Sequence, residues 1–229
     1  MGVLDLLIPE RCVACSGDGV LCEACLTRLV SIREPLCARC GAPVAWPVQR
    51  CAECAGRRLS FARARSAIAY EGPAVELVRA WKEGGRRRLA PLAAGLVVDS
   101  VPAPLVDAVT FVPSVQEREL WRGHNPARAL AGELAAAWAL PLRPLLARAS
   151  SARRQRGLGL AERRANVREA FAATERAPPH VALVDDVYTS GATVNAAARA
   201  LRQAGAARIE VVTLARTLRG AGPRARARP

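Results

Sequence analysis

The feature that most constrains this chain is the placement of its cysteines. All eight lie within the first 54 of 229 residues. They form four Cys-x-x-Cys pairs, which are Cys12/Cys15, Cys22/Cys25, Cys37/Cys40 and Cys51/Cys54. Two thiolates separated by two residues can bind one metal ion through a tight turn, and two such pairs complete the tetrahedral sulfur site that zinc prefers. We therefore expect two zinc ribbons, with the first two pairs forming one site and the last two pairs the other.

Several alternatives for the cysteines stay open at this point. The same spacing fits a crossed partition of the pairs between the two sites. Disulfides are disfavoured, because the opening apolar segment over 3–9 is short, contains Asp5 and does not resemble a secretory signal. Closed four-thiolate sites leave no open coordination position, so both zinc ions are expected to be structural. Gly17, Gly19 and Gly41 are expected to supply positive φ angles in the metal-binding turns.

After about residue 61 the pattern changes to apolar strands that alternate with amphipathic helices. This order indicates a parallel α/β sheet flanked by helices. The predicted strands cover 64–70, 108–112, 181–184 and 209–214, and the predicted helices cover 74–81, 89–96, 126–139 and 193–204. We therefore predict a double zinc ribbon over 1–58, an α/β domain over 59–218 and a basic, disordered tail over 219–229.

The segment most informative about function covers 181–193 and has the sequence VALVDDVYTSGAT. A short apolar strand brings Asp185 and Asp186 to the carboxyl edge of the sheet, where ligands bind in open α/β folds. The backbone and hydroxyl groups that follow can surround a phosphate at the start of the next helix. These groups belong to Thr189, Ser190, Gly191, Ala192 and Thr193. A ribose 5-phosphate fits, because its hydroxyls would separate the phosphate from the acids. An ordinary strand-to-helix turn with Ser and Thr caps explains the hydroxyls but not the paired acids.

This segment resembles the phosphoribosyl-diphosphate signature of type I phosphoribosyltransferases. Further motifs resemble the ComF family, competence-associated proteins with an amino-terminal zinc ribbon. They are Tyr70-Glu71-Gly72, Trp81-Lys82, Phe111-Val112-Pro113, Arg122-Gly123-His124-Asn125, Arg154-Gln155 and Asn166-Val167. The chain departs from the usual pattern at His124 and Pro126, where relatives have an aromatic residue and an amide.

The resemblance implies a type I phosphoribosyltransferase-like fold that binds phosphoribosyl diphosphate with Mg²⁺. It places Asp185, Asp186 and Arg154 at the reacting centre, with Arg154 in a loop that closes over the diphosphate. It adds Arg118 and Arg122 to the substrate-binding residues of the 189–193 turn. Such arginines would stabilise the charge on the leaving pyrophosphate. A solvated basic loop is the alternative for the segment around Arg154.

Three classes of function follow from these features. The first is an active transferase of unspecified acceptor. The second is a protein that binds single-stranded DNA and keeps the phosphoribosyl pocket, as the family's association with DNA uptake and transformation implies. The third is a module that docks to other competence proteins. The ribbons could serve binding in any of these, or could only brace the larger domain.

The charge of the chain is compatible with phosphate-bearing partners. The 34 basic residues include one lysine, Lys82, and outnumber the 20 acidic residues to give a formal net charge of +14. Guanidinium groups make bidentate contacts with phosphate oxygens, although a coding bias towards arginine would produce the same excess. No stretch of apolar residues is long enough to insert into a membrane, and we expect a cytoplasmic protein.

Overall fold

The computed structural model describes residues 11–83, 86, 88–114, 124–148 and 170–218. In chain order its elements are α1 (Glu23–Leu26), β1 (Arg63–Ala69), α2 (Pro73–Glu83), α3 (Leu89–Ser100), β2 (Ala108–Phe111), α4 (Pro126–Ala137), β3 (Leu146–Arg148), β4 (Phe171–Ala173), β5 (His180–Tyr188), α5 (Ala192–Gln203) and β6 (Arg208–Arg216). The predictions for Arg118, Arg122, Arg154 and the tail over 219–229 fall outside the described residues.

Four parallel strands form the central sheet in the order β1-β6-β5-β2. β5 lies inside the sheet, with β6 on one side and β2 on the other. Because all four strands are parallel, their carboxyl ends share one edge, where Tyr188 of β5 pairs in register with Arg216 of β6. β3 and β4 form a separate antiparallel pair. This arrangement confirms the predicted α/β fold.

The two faces of the sheet are covered by different parts of the chain. Side chains alternate along a strand, so Val181 and Leu183 of β5 face one side while Ala182 and Val184 face the other. The first face packs against α5 and the second cysteine group, and this shared core includes Cys37, Cys40, Cys54, Phe61, Ala197 and Leu201. The opposite face packs against α2, α3 and α4, with Leu77, Trp81, Leu130 and Leu134 in its core. The second ribbon is therefore part of the wall of the α/β domain.

The segment between the two cysteine groups pairs with the edge of the sheet. The Ile32 N–H donates to the Ala67 carbonyl at 2.8 Å, and the Ala69 N–H donates to the Val30 carbonyl at 2.8 Å. These bonds cover the outer edge of β1, which would otherwise present unpaired backbone groups. The ribbon segment thus contacts the sheet at its edge as well as on one face.

Two features of the fold differ from the sequence prediction. β5 extends to Tyr188 instead of ending at Val184, because backbone pairing with β6 continues beyond the apolar residues, from Asp185 opposite Thr213 to Tyr188 opposite Arg216. The β3–β4 pair was not predicted, since each strand is only three residues long. Among the described residues, no helix is both long and apolar enough to cross a membrane.

Candidate functional site

The eight cysteines assemble into two groups of four. One group is Cys12, Cys15, Cys22 and Cys25, the other is Cys37, Cys40, Cys51 and Cys54, and within each group all four Sγ atoms lie within 4.8 Å of one another. This geometry confirms the sequential grouping of the pairs. We call these groups the first and second tetrads.

The donor geometry of the tetrads fits zinc. Neighbouring Sγ atoms lie 3.5 Å apart for Cys15 and Cys22, and 3.4 Å apart for Cys40 and Cys51. Zinc–sulfur bonds of about 2.3 Å in a tetrahedron place the sulfurs about 3.8 Å apart. All eight thiols are free of disulfides. Both tetrads can therefore hold a structural zinc ion.

The thiols of each tetrad differ strongly in acidity. Burial raises the pKa of Cys12, but backbone N–H groups of Cys22, Ala14 and Cys15 outweigh it and lower the pKa to about 6. In the same tetrad, burial and the neighbouring thiols raise the pKa of Cys25 to about 12. Zinc binds thiolates, so the metal displaces the protons that the less acidic thiols retain.

The turns that hold the tetrads confirm part of the glycine prediction. Gly19 and Gly41 have positive φ angles of 87° and 69°. In the first turn, however, the positive φ belongs to Ser16 at 63°, so the prediction for Gly17 was wrong. A Cβ atom at Gly17 would lie 3.4 Å from the Cys15 Sγ atom, close to ordinary van der Waals contact, so Gly17 brings the backbone near this sulfur but is not required there for space.

The predicted phosphate loop lies between β5 and α5. Gly191 caps the helix with a φ of 73°, and the side chains of Thr189 and Thr193 are exposed. The backbone N–H groups of Ser190, Gly191 and Thr193 donate to no acceptor among the described residues. Free N–H groups at a helix start form an anion-binding arrangement. The turn is therefore open at the carboxyl edge of the sheet.

Two carboxylates stand on β5 just before this turn. The Asp186 Oδ1 atom lies 2.8 Å from the Lys82 Nζ atom, and the Asp185 Oδ1 atom accepts the N–H of Asp186 at 2.9 Å. Burial, followed by the charge of Asp186, raises the pKa of Asp185 to about 8, although Lys82 and Arg148 oppose this shift. Burial and the neighbouring charge thus favour the neutral form of Asp185, whereas the Asp186 carboxylate is paired with Lys82.

Sequence reasoning missed several residues that surround these acids. Lys82 reaches the site from α2. The sequence motif Trp81-Lys82 includes it without giving it a role, and its being the one lysine among the 34 basic residues was a signal that could have done so. Arg148 lies on β3, where its Nε atom donates to the Pro113 carbonyl at 3.1 Å. Nothing in the sequence distinguishes Arg148 from the other arginines. From the ribbon segment, the Arg57 guanidinium donates to the Ser190 carbonyl at 2.8 Å.

The structure brings together only part of the predicted substrate site. Asp185, Asp186 and the 189–193 turn are adjacent at one edge of the sheet. Nearby, the Asn125 side chain caps α4 by accepting the Arg128 N–H at 3.2 Å, and it donates to the Val112 carbonyl at 3.4 Å. Arg118, Arg122 and Arg154 lie outside the described residues, so their assignment stays a prediction.

Comparison with known proteins gives the same architecture. Residues 3–55 match the double zinc ribbon domain, and residues 123–226 match the phosphoribosyl transferase domain. Together with the sheet and its open turn, these matches define a phosphoribosyltransferase-like α/β domain joined to a double zinc ribbon. The chain belongs to the ComF family. Competence protein F of Haemophilus influenzae is 30% identical over 223 residues, which cover 90% of this chain and 96% of that protein.

One further relative and one solved structure are also similar to this chain. The DNA utilization protein YhgH of Salmonella typhi is 30% identical over 230 residues, which cover 93% of this chain and all of that protein (100%). Among solved structures, a glutamine phosphoribosylpyrophosphate amidotransferase from B. subtilis is 24% identical with a TM-score of 0.40. That similarity covers 56% of this chain and 26% of the amidotransferase.

Proposed function

We propose that this chain binds phosphoribosyl diphosphate together with Mg²⁺ at the turn that follows Asp185 and Asp186, and that it acts in DNA uptake or natural transformation. The observation that carries the proposal is the open turn itself. Its free N–H groups at Ser190, Gly191 and Thr193 stand beside two carboxylates on the same strand. A phosphate and a ribose diol in one ligand satisfy both sets of groups.

The 5-phosphate of this ligand belongs against the backbone N–H groups of the turn and the hydroxyls of Thr189 and Thr193. The ribose hydroxyls then face Asp185 and Asp186. A protonated Asp185 can donate a hydrogen bond to one hydroxyl, while the Asp186 carboxylate can accept one from the other. Bound Mg²⁺ supplies positive charge that neutralises the diphosphate. Lys82 and Arg148 add fixed positive charge beside the acids.

A transferase reaction at this site would be a simple displacement. A nitrogen nucleophile forms a bond to the anomeric carbon, and pyrophosphate leaves with the electron pair of the broken carbon–oxygen bond. The proton of the nucleophile passes to water or to a nearby base. Negative charge grows on the leaving group, so the positive groups around it would lower the barrier.

The proposed role in DNA uptake rests on the relatives. They carry the names competence protein F and DNA utilization protein, and the first matches this chain over 96% of its own length. The match therefore includes the ribbon and the α/β domain together.

Calorimetric titration of the zinc-loaded full chain with phosphoribosyl diphosphate tests the proposal. We expect Mg²⁺-dependent binding that is lost in the double variant Asp185→Asn, Asp186→Asn. Asp99→Asn is the matched control, because Asp99 is exposed on α3 and lies outside the site. A wild-type protein that gives no binding heat with Mg²⁺ present would remove the proposal. Release of pyrophosphate during incubation with nitrogen nucleophiles would show that the protein also catalyses transfer.

A second candidate function, binding of single-stranded DNA, is favoured by a group of neighbouring arginines and by one further arginine that contacts the turn. Burial lowers the pKa of Arg39, and the nearby charges of Arg50 and Arg202 lower it further. Arg57 contacts the loop directly, because its guanidinium donates to the Ser190 carbonyl. The phosphates of a bound DNA strand would relieve the repulsion among these guanidinium groups.

Fluorescence anisotropy with a labelled thymidine oligonucleotide tests this second function. Affinity should fall steeply between low and physiological salt, and the double variant Arg50→Gln, Arg202→Gln should weaken binding about tenfold. The matched control is Arg28→Gln with Arg79→Gln, since both residues are also exposed but lie elsewhere. Salt-independent affinity would count against the electrostatic surface, and equal losses in both double variants would count against this particular group.

A further inference from the structure

Arg216 is a buried charge that joins two parts of the protein. It is the last residue of β6, and only 1% of its surface is exposed. Its backbone lies opposite Tyr188, the last residue of β5, at the edge that carries the phosphate loop. A buried guanidinium persists only when charged and polar partners compensate for its loss of water. The identity of those partners therefore shows what Arg216 connects.

On one side the partners of Arg216 belong to the second tetrad. Its guanidinium donates to the Glu53 Oε2 atom at 2.6 Å and to the Cys40 carbonyl. One guanidinium nitrogen also lies 3.9 Å from the Cys40 Sγ atom. Glu53 stands between Cys51 and Cys54 in the sequence, so both contacts reach the metal-binding turns.

On the other side Arg216 stacks on the ring of Tyr188, the residue directly before the phosphate loop. The guanidinium carbon lies 4.6 Å from the centre of the Tyr188 ring. The edge of that ring is fixed by Phe61, whose ring centre is 6.4 Å away at an interplanar angle of 85°. The Tyr188 hydroxyl lies directly under Gly191, where a Cβ atom would collide with it. The position of the Tyr188 ring therefore limits the path of the turn.

The charge of a loaded tetrad would hold Arg216 more firmly. Four thiolates and one divalent zinc ion leave a formal charge of about −2. Zinc would also fix the metal-binding turns that present the Cys40 carbonyl and the Glu53 carboxylate to Arg216, so loss of the metal would loosen those partners. Arg216 would then be free to turn away from Cys40 and Glu53, and the Tyr188 ring would lose the cation that covers it.

We propose that Arg216 is a positioning residue that couples the second tetrad to the phosphate loop, so that zinc in the tetrad and a phosphate-bearing ligand in the loop strengthen each other's binding. The ligand part of this inference rests on the proposed function. The link between the tetrad and the loop does not. By thermodynamic reciprocity, a ligand that binds more tightly when zinc is present must raise the affinity for that zinc by the same factor.

Zinc release to a chromophoric chelator from the full-length, zinc-loaded protein tests the coupling. We expect two phases, one for each tetrad. A fivefold gain in zinc affinity at an unchanged rate of zinc association means that saturating phosphoribosyl diphosphate with Mg²⁺ slows one phase about fivefold. Cys12→Ser, which disables the first tetrad, should leave the ligand-sensitive phase in place. In Arg216→Met the ligand should no longer slow either phase. Arg208→Met is the matched control, because Arg208 begins the same strand and pairs with Glu210 away from the tetrad.

Hydrogen exchange measured without ligand provides a second readout. In Arg216→Met, the segment 189–198 should exchange at least threefold faster than in wild type, while the segment 73–83 of α2 should not change. If Arg216→Met does not fold, Glu53→Gln serves instead, since it removes only the charge that faces Arg216. Equal exchange rates in the wild type and the variants would overturn the coupling. So would a bound ligand that leaves both zinc phases unchanged. If the wild-type protein binds no ligand, the proposed function is refuted. If the exchange rates of wild type and variant still differ in that case, the structural link between the tetrad and the loop stands.

Discussion

The Lys82 Nζ atom lies 2.8 Å from the Asp186 Oδ1 atom and joins α2 to the carboxyl end of β5. The pair is partly buried, with 31% of the Lys82 side chain and 13% of the Asp186 side chain exposed. Two adjacent acids beside a phosphate would repel it unless positive charge stands between them. The one lysine of the chain pairs with Asp186, and this ion pair would let the site accept both the diol and the phosphate of the proposed ligand.

Replacing Lys82 should therefore weaken binding of an anionic ligand more than it weakens the fold. In Lys82→Met the affinity for phosphoribosyl diphosphate should fall about tenfold, because the Asp186 charge is no longer balanced. The free energy of unfolding should change by less than about 1 kcal/mol, as is usual for a partly exposed pair. Calorimetry and thermal unfolding measure the two effects. Arg79→Met is the control from the same helix, and equal affinities in both variants would contradict the role of Lys82.

The raised pKa of Asp185 predicts a pH-dependent effect of its removal. In the folded protein the pKa of Asp185 is raised to about 8, whereas in the unfolded chain this carboxyl has its ordinary pKa of 3.8. Stability contributed by the neutral carboxyl is therefore lost as the pH rises between these values, by up to about 1.4 kcal/mol per pH unit. Asp185→Asn should thus be increasingly stabilising relative to wild type from pH 6 to pH 8. Thermal unfolding of both proteins across this pH range measures the difference in their stability. A difference that stays constant with pH would contradict the raised pKa of Asp185.

Substitution of Gly191 should disable the loop through the Tyr188 hydroxyl. A Cβ atom at Gly191 meets that hydroxyl, and its φ of 73° is a conformation that alanine rarely adopts. Gly191→Ala should cost about 1–3 kcal/mol of stability and should abolish phosphoribosyl diphosphate binding. Gly95→Ala, in the interior of α3 where a Cβ meets nothing within 4 Å, should instead leave the protein as stable or slightly more stable. Similar unfolding temperatures for the two variants would contradict this account.

The two tetrads should contribute unequally to stability. Cys54 is fully buried in the core that the second tetrad shares with α5, whereas Cys15 of the first tetrad is exposed. Each of Cys54→Ser and Cys15→Ser should lose one zinc ion by elemental analysis. Cys54→Ser should lower the unfolding temperature by about 10 °C more, because it also disturbs the packing under the sheet. A larger loss from Cys15→Ser would argue against a shared core.

Local patterns were enough to predict the tetrads, the alternation of strands and helices, and the turn after Asp186. Each depends on residues close together in the sequence, such as Cys51 and Cys54 or Gly191 and Thr193. The contact between Arg216 and Glu53 joins residues 163 positions apart, and no periodicity reports such a contact. The end of β5 was misplaced for a related reason. Polar residues at 185 and 186 suggested a loop, but pairing with β6 keeps their backbone extended.

The packing of the second tetrad against the sheet has a consequence for any attempt to dissect the protein. A fragment that begins at residue 59 would leave Phe61 and the buried side of α5 bare to water, since Cys37, Ala42 and Cys54 cover them in the intact chain. Removal of zinc from the intact chain by a chelator would loosen the packing of the second tetrad against Phe61 and α5. The sequence changes its motif at this boundary, but the ribbon and the sheet share one core. We therefore expect them to unfold together in a single cooperative transition.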